Sequence, residues 1–168
     1  PADGARGTDI AGRVRARGGA RAGWPEGDGG GRVWVQRSAD VVGWSRLDGR
    51  DAQLAFDDWA ELHLPVRFAF TDDSVHANVH VTFVDHFDEE ISGRTKWTRD
   101  DDWWLTDADI ALAVYHRDGP RLDDDAMHAM SLHEIGHLLG LDHTRDSTSV
   151  MAPRVHVRLL SAADKATV

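Results

Sequence analysis

The chain has 168 residues, 41% hydrophobic and 29% charged, which is enough for one domain with its own core. A net charge of −10 sets nucleic acid and anionic membrane surfaces aside as main partners. There is no cysteine, so a disulfide scaffold, a thiol nucleophile and a thiolate-bound metal are all excluded. No apolar run approaches the ~18 residues of a membrane span. Any metal must rest on Asp, Glu or His, and ten histidines are present.

The N-terminal stretch differs in composition. Residues 1–23 carry Arg6, Arg13, Arg15, Arg17 and Arg21 against Asp3 and Asp9, a net of +3 that leaves −13 for the remainder. The first 31 residues also hold ten of the sixteen glycines. So little apolar surface cannot offset the entropy of ordering. Two readings stay open for residues 1–31: a flexible leader, or a pro-segment laid across an acidic cleft with Asp3 or Asp9 against a metal. Beginning at Pro1 without an apolar signal core, the sequence reads as a processed or trimmed chain.

The expected domain, residues 32–168, opens on a strand at Val33-Trp34-Val35. From Asp51 the apolar spacing turns helical, with Ala52, Ala55, Phe56, Trp59 and Ala60 on one face, and the helix should stop before Pro65. Strands follow at Val66–Phe70 and Val79–Val84. Gly93–Thr98, with Arg94 and Lys96, suits an edge strand protected by charge, and Ala108–Val114 reads as a buried strand. Asp123, before Asp124 and Asp125, suits the start of a second helix, and Ser161 can cap a last helix running to Val168. The expected order is β-α-β-β-β-β-α-α, a single α/β domain.

Residues 133–143 carry the chemistry: His-Glu-Ile-Gly-His-Leu-Leu-Gly-Leu-Asp-His. His133 and His137, four apart, share one helix face and can chelate one ion. Gly140 can take the left-handed conformation that ends the helix, and the turn then delivers His143 as a third nitrogen ligand. Three neutral imidazoles leave a fourth position open, the catalytic form of zinc coordination. Glu134 flanks the metal without having to bind it. Chance occurrence of the pattern at a given start is on the order of one in ten million.

This segment resembles the metzincin signature, and Ser149-Val150-Met151-Ala152-Pro153 resembles that clan's Met-turn. Thr144, after the third histidine, is closest to the Ser of matrixins, and Leu160–Asp164 resembles the start of their C-terminal helix. The resemblance to a bacterial matrixin is specific over residues 133–153 and looser over 32–168. It implies a zincin-type α+β fold: a twisted, mostly parallel five-stranded sheet with an antiparallel edge strand, a backing helix, an active-site helix and a C-terminal helix. It further implies His133, His137 and His143 as zinc ligands, Glu134 as general base, Met151 as a floor beneath the metal and 152–160 as a pocket wall carrying Arg154, His156 and Arg158.

The departures from the family count too. The stretches Arg94–Thr98 and Ala108–Val114 lack the histidines of the second, structural zinc of animal matrixins. His76, His80, Asp85 and His86 read as scattered surface groups or as a separate site. Calcium is typical of the family, and Asp100, Asp101, Asp102 and Asp107 offer hard oxygens, although a solvated acidic loop is the simpler account of them. Trp103 and Trp104 read as core, substrate platform or partner surface. Latency through a cysteine ligand is impossible.

The resulting expectation is a secreted, monomeric zinc endopeptidase that binds an extended peptide along edge strand 93–98. In it Glu134 accepts a proton from a zinc-acidified water and passes it to the leaving amine. The alternatives are a zinc-binding interaction domain without proteolysis, and a zinc hydrolase of a non-peptide amide. Retention of Glu134 argues against the first, because a binding module needs ligands but no base.

Overall fold

The computed structural model describes residues 31–64, 66–100 and 105–165. The elements are β1 (Gly31–Val35), α1 (Arg46–Ala60), β2 (Phe68–Phe70), β3 (Val79–Val84), β4 (Gly93–Arg99), β5 (Leu105–Ala113), α2 (Asp124–Leu138) and α3 (Ala162–Lys165). The sheet runs β2-β1-β3-β5-β4. Pairs β1–β2, β1–β3 and β3–β5 are parallel, and β4 joins β5 antiparallel, with Thr95 opposite Ile110 and Gly93 opposite Leu112. β4 is therefore an edge strand, as its charged sequence predicts.

Alternation builds the core. Val79, Val81 and Phe83 of β3 are buried with Ala108, Ile110 and Leu112 of β5 and Val33 and Val35 of β1. The same cluster takes Ala52, Ala55, Phe56 and Trp59 from α1 and Met127, Leu132, Ile135 and Leu138 from α2. The two helices are also tied by a polar bond: buried Trp59 donates Nε1–H to Leu132 O at 3.0 Å. Truncating such a residue to Ala costs about 3–5 kcal/mol.

α1 begins five residues earlier than the apolar spacing from Asp51 implies. Ser45 and Asp48 form a reciprocal capping box there, with Leu47 N–H also donating to Ser45 Oγ. Asp48 is fully buried and accepts two bonds from Arg121, at 2.6 and 2.8 Å, while Arg121 also reaches Gly43 O and Leu122 O. This network pins the start of α1 to the segment that enters α2. On α1, Ala60 is exposed rather than buried, because it lies in the last turn beyond the core-facing stripe.

Three other boundaries move. β2 is only Phe68–Phe70, since its pairing with β1 begins at Phe68. β5 starts at Leu105 and ends at Ala113, extended at its front by pairing with β4. α3 starts after Ser161 as expected but is described only to Lys165. Apart from Gly31, which opens β1, the expected leader lies outside the described residues, as do Asp101, Asp102, Trp103, Trp104 and residues 166–168.

Candidate metal centre and active-site cleft

α2 is capped by Asp123, whose carboxylate accepts from Ala126 N–H at 2.7 Å, and Asp124 and Asp125 follow in the first turn. It ends as the sequence predicts. Gly140 has φ 84°, its N–H donates to His137 O, and Leu141 N–H donates to Gly136 O. This paired closure is a Schellman motif. It reverses the chain and brings His143 back over the last turn.

The three imidazoles converge. His133 Nε2 lies 3.1 Å from His137 Nε2 and 3.2 Å from His143 Nε2, and the third separation is 3.2 Å. Two of the rings are fixed from behind: His133 Nδ1–H donates to Val150 O at 2.7 Å and His137 Nδ1–H to Leu141 O at 2.8 Å. With the proton on Nδ1, each Nε2 presents a lone pair, and these lone pairs face one another. Such an arrangement is repulsive unless a cation sits among them. Tetrahedral zinc, with Zn–N near 2.0–2.1 Å, separates its nitrogens by about 3.3–3.4 Å, so the three residues fit the ion. Burial lowers His133 to about 4, outweighing its bond to Val150 O, and burial and His137 lower His143. Both are therefore neutral at pH 7, as ligands must be. Among the described residues this is the only His, Asp and Glu group drawn together closely enough to hold a metal.

The turn at 149–153 backs this triad. Met151 is fully buried against α2 at Gly136, where an added Cβ would lie 2.2 Å from its sulfur. The glycine between the two helical ligands is thus a packing requirement. Asp164, fully buried in α3, accepts from Ser149 Oγ at 2.7 Å, Val150 N–H at 3.2 Å and Ser161 N–H at 2.9 Å. Since Val150 O orients His133, α3 supports a ligand through a single residue, Val150.

Glu134 is buried against β4 and lines the same cleft as the histidines. Thr95 Oγ1 lies 2.6 Å from Glu134 Oε2 and 3.0 Å from Glu134 O. Burial pushes the carboxyl up to about 7, against the pull of the Thr95 bond and the charge of Arg94. A cleft of about 500 Å³ runs between β4 and α2, and its lining includes the three histidines, Glu134, Met130, His116 and Arg154.

Other expected groups lie apart. Arg158 pairs with Asp123 at 3.0 Å and His156 is exposed, so neither lines the cleft. Asp107 is on β5, paired with Thr98 and 3.6 Å from His80 Nδ1, and Asp100 follows β4. His80 Nε2 bonds Ser74 O, His76 pairs with Asp73 and His86 with Asp85, so these histidines do not gather. Gly93, Thr95 and Asp164 were not singled out as site residues by the sequence. For the first two a signal existed, since positions two apart on a strand share a face.

The family model described as Matrixin, Peptidase_M10, matches residues 45–166. Comparison with curated proteins finds no match.

Proposed function

Belonging, as the chain does, to the matrixin family, a family of zinc-dependent peptidases, it is one for which we propose endopeptidase activity with Glu134 as general base. One observation carries this reading: three Nε2 lone pairs meet beside a buried carboxylate in a cleft bordered by the edge strand of the described sheet. His133, His137 and His143 would hold a zinc ion, which when bound would supply Lewis acidity toward a scissile carbonyl and an attacking water. The chain's own residues supply the rest. Glu134 takes the proton of the attacking water on its carboxylate and gives it to the departing amine. The edge of β4 over residues 93–98 pairs antiparallel with an extended peptide, whose backbone bonds set the register of the scissile bond. Arg154, on the cleft wall, contributes to side-chain selection.

The reading extends to a monomer acting outside the cell. No helix among the described residues is long and apolar enough to cross a membrane. Calcium at Asp100, Asp101, Asp102 and Asp107 is a separate expectation, to be tested by the thermal shift on adding and chelating calcium.

The deciding test is zinc content together with cleavage of a quenched peptide library, for the wild type and Glu134→Ala. One zinc per chain in both and cleavage by the wild type alone is the expected result. Zinc without cleavage by the wild type would favour an interaction domain, and turnover confined to non-peptide amides would favour the other hydrolase. Absence of zinc would overturn the reading.

A further inference from the structure

The ligands His133 and His137 are held through backbone carbonyls, but Glu134 is held from across the cleft. Among the described residues, Thr95 is the only side chain that hydrogen-bonds its carboxylate, at 2.6 Å. The Thr95 hydroxyl has one proton and two acceptors within reach, Oε2 at 2.6 Å and Glu134 O at 3.0 Å. The shorter, charge-assisted contact is the stronger. Two residues earlier on the same strand face, Gly93 leaves the space the carboxylate occupies. A Cβ there would lie 2.5 Å from Oε1, 2.6 Å from Cγ and 2.8 Å from Cδ, all inside contact distance. Arg94, between them, is turned elsewhere, bonding Glu89 at 2.6 Å and lying over the Phe87 ring at 5.0 Å.

We propose that Thr95 is a positioning residue for the base, fixing the Glu134 carboxylate through Oε2 in the slot that Gly93 leaves open. This rests on the reading of Glu134 as the proton acceptor. It makes β4 bifunctional: one segment, 93–95, presents backbone to an extended substrate and aims the group that handles the proton.

The test compares Thr95→Val, which keeps the shape and removes the hydroxyl, with Thr95→Ser, which keeps the hydroxyl. The zinc-loaded proteins are assayed for kcat and KM on a quenched peptide. In parallel, cobalt-loaded proteins are titrated with acetohydroxamate and followed by their visible absorption; this chelator must hand its hydroxyl proton to a nearby base. For Thr95→Val, kcat should fall about 10- to 100-fold with KM within about twofold and metal content unchanged. Its acetohydroxamate affinity should weaken about tenfold. Thr95→Ser should restore both, and Gly93→Ala should reproduce the loss with the hydroxyl present. Wild-type kcat and hydroxamate affinity in Thr95→Val, or a serine variant as poor as the valine one, would overturn the proposal. If Thr95→Val fails to fold, Thr95→Ala, which adds no bulk, takes its place in the same comparison. A wild type that cleaves no peptide would count against the peptidase reading alone, because the hydroxamate titration still decides the role of Thr95.

Discussion

The two walls of the cleft are held by different means. On the α2 side, ring orientation comes from main-chain acceptors, Val150 O and Leu141 O, inside tightly packed turns. On the β4 side, the base is oriented by a side-chain hydroxyl on an edge strand. A main-chain acceptor survives substitution of its own side chain, whereas a hydroxyl is lost in a single change. The metal wall should therefore tolerate side-chain changes at Val150 and Leu141, which supply those carbonyls, and the base wall should not tolerate loss of the Thr95 hydroxyl.

The contrast can be broken in order of severity. His137→Ala removes one of three ligands, and zinc content by atomic emission should fall to background together with any cleavage. Glu134→Ala should keep one zinc per chain while kcat drops by about 10²–10⁴. Asp164→Ala leaves Ser149 Oγ, Val150 N–H and Ser161 N–H without their acceptor; thermal denaturation should show a loss of about 2–4 kcal/mol. Because Val150 also orients His133, competition with a chelator should show zinc affinity weakened about tenfold. Gly136→Ala drives a methyl into Met151 and should cost about 1–3 kcal/mol by urea unfolding.

The last effect is one of pH on the metal-free protein. Glu134 has its carboxyl raised from 4.5 to about 7 by burial, so the folded state holds the proton more tightly than the unfolded chain. Wild-type stability is then greatest below pH 4.5 with respect to this group and declines as pH rises through about 7. Glu134→Gln does not titrate. Its melting temperature relative to wild type should climb between those limits and level off above them. The climb is set by the difference between the folded and unfolded pKa, because any cost of burying the glutamine amide is the same at every pH. A difference that stays flat with pH would count against the burial argument.

What the sequence revealed and what it hid follow from distance along the chain. The ligands, the cap at Asp123 and the stop at Gly140 depend on neighbours within a turn or two, so spacing alone exposed them. Thr95 meets Glu134 across 39 residues, Arg121 meets Asp48 across 73, and Asp164 meets Ser149 across 15. No local spacing pairs such partners; each meeting appears only once the fold brings two distant segments together. The start of α1 is a different failure. Ser45 and Asp48 have the spacing of a capping box, but the first buried small residue is Ala52, and the apolar pattern drew the boundary inward. The mostly parallel sheet followed from a resemblance, not from periodicity, because strands alone do not state their order.

One core side chain gives the metal centre an optical signal. Trp59 is fully enclosed, bonds the carbonyl just before His133, and its ring lies 3.4 Å from where a Cβ at Gly136 would stand, between the two helical ligands. Its emission should be blue-shifted and should be quenched when a paramagnetic ion such as cobalt replaces zinc at the histidines. The difference spectrum against Trp59→Phe separates it from the other six tryptophans of the chain. The fluorophore that reports the packing of α1 on α2 would thereby also report loading of the histidine cluster, without a label and without a substrate.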